Sequence, residues 1–215
     1  MSEEPSSQRG RPKDPAKRAA ILAAAKTLFL REGYTGTSME AVAVEAGVSK
    51  PTVYSHFASK DRLFSVAVQE ETQTLLPHSA FTLKDRSSLD AVLGEIGLAF
   101  VGLINSPEAI GLHRLMAANV GQESDMARLF FEAGPEVILR QMEQLLKQAH
   151  QQQLLYVEDV ELATEHFFGL LQGCQHMQVL IGYRPPLPAA EMGRRVREAT
   201  AMFLRAYTPG AFHQG

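Results

Sequence analysis

Lys50, Tyr54, His56 and Lys60 fall close together in the stretch AGVSKPTVYSHFASKDRLF, residues 46–64, interleaved with Ser49, Thr52 and Ser55. Cations and neutral hydrogen-bond donors at this density suit phosphate oxygens and base edges rather than bond-breaking chemistry. Tyr54, His56 and Lys60 are the types that hold a phosphate and fix position. Lys50, Thr52 and Ser55 are the types that reach a base edge when they project from the start of a helix. Thr37 adds a hydroxyl at the start of the preceding segment, where free backbone N–H groups also favour an anion.

These side chains act together only if short helices hold them. Ser49 is a helix-capping residue type. Pro51 then sits in the first helical turn, where no intrahelical N–H bond is lost. Val53 faces inward from that helix, and Lys50, Thr52, Ser55 and His56 face outward. Upstream, Met39, Val42, Ala43 and Ala46 form the buried stripe of another short helix. Thr37 followed by Glu40 is a capping-box pattern at its start. Gly47 stops that helix and makes the turn between the two. Before them, Ile21, Ala25, Leu28 and Phe29 mark a longer amphipathic helix ending near Gly33. Two short helices joined by a tight turn make a helix-turn-helix, over about 38–57.

Charge is distributed accordingly. The chain of 215 residues has a net charge of -3, yet residues 1–64 hold ten Lys and Arg against seven Asp and Glu. A basic N-terminal module on a more acidic body is expected. One cysteine, Cys174, excludes an intramolecular disulfide framework. The most continuous apolar run, Ile96 to Ile104, is too short to span a bilayer. The opening residues have no apolar signal-type segment. A cytoplasmic protein without a membrane partner is expected. The histidines lack the spacing of helix-borne metal ligands, and no phosphate loop or nucleophile elbow is present, so no metal, cofactor or enzymatic activity is expected.

Taken whole, the stretch closely resembles the DNA-binding domain of TetR-family transcriptional regulators. The resemblance is carried by Phe29, Glu32-Gly33-Tyr34 and residues 37–64, above all by Thr52-x-Tyr54-x-x-Phe57-x-x-Lys60, and covers roughly residues 15–75. Pro51 stands where many members carry Gly. The resemblance implies an all-α fold: an N-terminal three-helix DNA-binding domain and a C-terminal helical body that dimerises and holds an effector. It also implies a homodimer on a palindromic double-stranded DNA operator, with Thr37, Ser49, Lys50, Pro51, Thr52, Tyr54, Ser55, His56 and Lys60 at the DNA. The segments SPEAIGLHRL (106–115) and EAGPEVI (132–138) resemble the branch that regulates efflux and stress genes.

The pattern gives about nine helices and three regions: a disordered polar, basic tail over 1–14, the DNA-binding domain over 15–75, and the body over 76–215. In the body, the helix expected over 158–182 is apolar around so much of its circumference that it must be covered from two sides. Gly169 and Gly173 on it, with Val196 and Phe203 on the last helix, are the expected dimer interface. Phe100, Met116, Asn119, Phe130, Phe131, Phe167, Gln172 and Met177 are the expected lining of an apolar effector pocket. With few charges among them, a small apolar or aromatic effector that releases a repressor is expected. The alternatives are a DNA-binding dimer without an effector and, from another class, an all-α enzyme.

Overall fold

Local sequence sets where each helix begins. The computed structural model describes residues 14–83, 89–118 and 124–210. The expected tail therefore lies, apart from Asp14, outside the described residues. The Asp14 carboxylate accepts the Ala16 N–H at 3.0 Å and Pro15 opens α1 (Pro15–Gly36), which is broken at Gly33. Ile21, Leu22, Ala25, Leu28 and Phe29 form its buried face. The short α2 (Met39–Glu45) and α3 (Lys50–His56) follow, then α4 (Lys60–Leu75), whose start is capped by the Ser59 hydroxyl accepting the Arg62 N–H at 3.1 Å. The chain divides into two compact units, Met1–Phe64 and Ser65–Gly215, and the division falls inside α4.

In the second unit a 3-10 turn (His78–Phe81) precedes α5 (Leu89–Ile104), α6 (Pro107–Ala118), α7 (Ser124–Ala133), α8 (Pro135–Gln151), α9 (Val160–Leu180) and α10 (Ala189–Tyr207). Among the described residues there are ten α-helices and no strand. α7 and α8 are separated at Gly134, which makes the number one more than the nine expected. Asp159 caps α9 by accepting the Leu162 N–H at 2.9 Å. No single helix among the described residues is long and apolar enough to cross a membrane.

α5 is the centre of this unit, packed by α6, α9 and α10. Gly97 lets α10 come close: a Cβ there would fall 2.7 Å from the Val196 Cγ1 and 3.3 Å from the Leu171 Cδ2. Phe167 and Phe203 meet edge to face at 5.2 Å in the core, and Phe203 packs on Tyr207 at 4.6 Å.

Val196 and Phe203 thus belong to the chain's own core. The expectation that they form an interface is corrected, because both side chains are buried within one protomer. The paired glycines of α9 also separate. Gly169 is helical, exposed and has open space where a Cβ would sit. Gly173 kinks the helix at φ 52°, ψ -174°, a region that only glycine occupies readily. Gly173→Ala should therefore cost about 1–3 kcal/mol in urea unfolding. Gly169→Ala should not destabilise the fold. Equal stability of the two variants would exclude the kink as the reason for Gly173.

Candidate nucleic-acid interface and effector site

The turn between α2 and α3 begins at Gly47, where φ is 65°, a conformation that glycine adopts without penalty. The Val48 N–H returns to the Ala43 carbonyl at 3.0 Å and closes the turn. Ser49 then caps α3: its hydroxyl lies 2.8 Å from the Thr52 hydroxyl and accepts the Thr52 N–H at 3.4 Å. Val53 and Phe57 anchor α3 from below. What remains outside is Ser49, Lys50, Pro51, Tyr54 and Ser55, all exposed, with Thr52 and His56 half-buried. The side chains expected at DNA on α3 therefore share the solvent side of one short helix. Tyr54 is 43% exposed, with the Lys50 ammonium 5.9 Å from its ring centroid. Lys50 also pairs with Glu40 of α2, and that hydrogen bond raises the Lys50 pKa and lowers that of Glu40.

Two expected contacts are placed differently. Thr37 is 1% exposed and donates its hydroxyl to the Gly33 carbonyl at 2.7 Å, so it is closed to a phosphate. The cap of α2 is Ser38 instead, accepting the Ala41 N–H at 3.0 Å, which replaces the Thr37–Glu40 capping box. Lys60 is half-buried. Its ammonium donates to the Tyr34 carbonyl at 2.8 Å and lies 4.3 Å from the Tyr34 ring centroid. Tyr34 in turn donates to Asp61. Lys60 thereby ties the end of α1 to the start of α4, with two of its three N–H donors left for a phosphate.

In the body, the expected pocket positions scatter. Phe167 is core. Phe131, Gln172 and Met177 are exposed, so their assignment to a pocket lining is corrected. Asn119 lies outside the described residues. Phe100 packs on Phe168 at 4.5 Å. Met116 and Phe130 are half-buried. Phe130 stands edge-on to His113 of α6 at 5.6 Å, and His113 stands perpendicular to His176 of α9 at 5.7 Å. The His113 Nδ1 and both His176 nitrogens are buried without a hydrogen-bond partner, an arrangement that costs about 1–3 kcal/mol per group. The site expectations did not include this pair. The available signal was a polar residue eight positions after Phe168 on a buried helix face.

Arg114, the neighbour of His113, is committed elsewhere. It donates to the Val179 and Leu180 carbonyls, both at 2.8 Å, and so caps the end of α9. Arg128 pairs with Glu132 at 3.0 Å on the surface. Among the described residues no Lys, Arg, Asp or Glu is buried.

Burial, and secondly the neighbouring His113, lower the His176 pKa to about 4; burial lowers that of His113 also. The unfolded chain then binds more protons than the folded one below about pH 6.5. This contribution is complete above that pH and is lost as pH falls towards 4. Wild type should lose roughly 2–3 kcal/mol more between neutral and acid pH than His176→Phe. Parallel urea melts measure the difference, and identical pH slopes would exclude His176 as the acid-sensitive group.

Comparison with known proteins bears on both units. Residues 21–67 match a family model described as bacterial regulatory proteins, tetR family. Residues 91–209 match one described as AefR-like transcriptional repressor, C-terminal domain. The HTH-type transcriptional activator FasR of Mycolicibacterium smegmatis is 38% identical over 60 residues, which are 28% of this chain and 27% of that protein. The match thus spans about a quarter of that relative. Among solved structures, a TetR-family regulator from Mesorhizobium loti is 27% identical with a TM-score of 0.73, over 91% of this chain and 99% of that one. The flavonoid-responsive regulator FrrA is 28% identical with a TM-score of 0.73, over 92% of this chain and 100% of that one.

Proposed function

Because the chain belongs to the TetR family of transcriptional regulators, we propose that it is a homodimeric repressor, released from a palindromic operator by a small uncharged aromatic effector. It is a transcriptional regulator of the TetR type, and its relatives are regulators rather than enzymes. The observation that carries the DNA reading is α3, whose Val53 is consumed in packing, with Phe57 at its end, while Lys50, Tyr54 and Ser55 stand exposed together. Ser49, Pro51, Thr52 and His56 flank them, with Lys60 beyond the helix end. A single helix of this kind fits a major groove, and phosphate contacts around it set the register.

Dimerisation is supported by α9. Leu162, Gly169 and Leu170 are exposed before the kink, around His166, and Gly173, Met177 and Ile181 are exposed from the kink to just past the helix end. Met177 is 60% exposed. Large apolar residues exposed in such number on one helix are the mark of an interaction face. Two copies joined there present two α3 helices, which need centres about 34 Å apart, or a multiple, to enter successive major grooves. The effector acts by preferring the conformation with another spacing, so operator affinity falls by its differential binding.

The absence of buried cations and carboxylates among the described residues supports an uncharged effector. So does the responsiveness to flavonoids named for FrrA. The DNA-bound state is assigned to repression on the description of the family that residues 91–209 match. The test selects bound fragments from the source genome, footprints the site, and titrates operator with and without small aromatic compounds that raise the melting temperature. A two-fold footprint lost on adding such a compound is the expected result. A ligand that stabilises the protein and leaves the footprint intact refutes the release mechanism.

A further inference from the structure

His113 and His176 come from helices far apart in sequence, and their rings meet nearly at right angles, 88°. Three of their four nitrogens are buried and unpartnered, whereas buried polar atoms in folded proteins nearly always have a partner. His176 is 4% exposed. A neutral imidazole carries one N–H and one lone pair, so the pair offers a donor and an acceptor at one spot. Phe130 faces His113 edge-on, and Met116, one helical turn beyond His113, adds an apolar neighbour on α6.

The surroundings narrow the chemistry. A carboxylate would require a cation, and the nearest one in sequence, Arg114, already binds the end of α9. Among the described residues no third metal-ligating side chain joins the two histidines. An aromatic hydroxyl meets two of the three unpartnered nitrogens: its O–H donates to one imidazole, its oxygen accepts the N–H of the other, and its ring suits the aromatic neighbour Phe130.

We propose that His113 and His176 form the polar subsite of the effector site and hold the hydroxyl group of a neutral phenol. This rests on the reading that the protein responds to a small molecule, and assigns that molecule's class.

The test uses the full chain and four probes: naphthol, naphthalene, naphthoate and zinc ion. Binding is followed by calorimetry and by the histidine ring signals in NMR. Naphthol should bind at least about tenfold more tightly than naphthalene, because only naphthol can pair the imidazole nitrogens. It should also shift the ring signals of His113 and His176. In His176→Phe the preference for naphthol should vanish while naphthalene still binds. His113→Phe should lower it also, and the wild-type ring signals decide the matter if one variant fails to fold. A preference that survives both substitutions, no preference in wild type, no saturable binding of naphthol, or ring shifts caused by naphthoate or zinc and not by naphthol would each overturn the subsite. If naphthol binds through His176 and operator affinity does not change, the subsite stands and the release mechanism falls.

Discussion

Lys50→Ala should weaken operator binding by about 2–6 kcal/mol, since each protomer of a dimer loses a base contact of about 1–3 kcal/mol. Lys50 opens α3 and is exposed, and the first residues of such a helix are those that meet base edges. The loss should be confined to the specific site. On a scrambled duplex the variant should lose only a modest, salt-dependent increment, as removal of one charge per head requires. Glu40 gives the argument a second arm. It pairs with Lys50 in the free protein, so binding must break that pair, and Glu40→Gln should tighten the operator complex slightly. Anisotropy titrations on both duplexes measure each effect. An equal loss for Lys50→Ala on specific and scrambled DNA would show that Lys50 contacts phosphate and reads no base.

Phe203→Ala should destabilise the chain by about 3–5 kcal/mol, the range for removing a large buried aromatic ring. The ring is 1% exposed and wedged between Phe167 and Tyr207. Met202, the adjacent residue, is exposed. Met202→Ala should leave unfolding of the chain nearly unchanged, since an exposed side chain loses little on truncation. Urea melts and sedimentation separate the two. Were Phe203→Ala to give stable, well-folded single protomers, the ring would belong to the interface after all.

The contrast between Met202 and Phe203 explains which parts of this molecule were legible in its sequence. A helical stripe announces that a face is covered. It cannot say whether the cover is the same chain or another one. Val196 and Phe203 had the right pattern for either, and the chain's own α5 and α9 claim them. The DNA-facing helix was readable because its signals are local: Ser49 and Pro51 fix where it starts, Gly47 fixes the turn, and the outward residues follow from the period. Thr37 and Ser38 were exchanged because both are capping types side by side. Only the backbone decides which hydroxyl turns inward to Gly33. The His113–His176 contact was out of reach, since nothing local joins residues 63 positions apart. Phe131, Gln172 and Met177 were misplaced for the same reason: apolar or amide character does not reveal which way a side chain points.

Gly97 has a consequence for how such a sequence drifts. The space its missing side chain leaves is filled by the Val196 methyl groups, with the Leu171 side chain close by. A methyl added at 97 needs a smaller residue at 196, and shrinking Val196 alone leaves a hole against α5 that a larger residue at 97 would fill. The two positions share one volume, so substitutions accepted at either are conditional on the other. Positions 97 and 196 should therefore vary together across related chains, linking two helices whose separate histories would otherwise look independent.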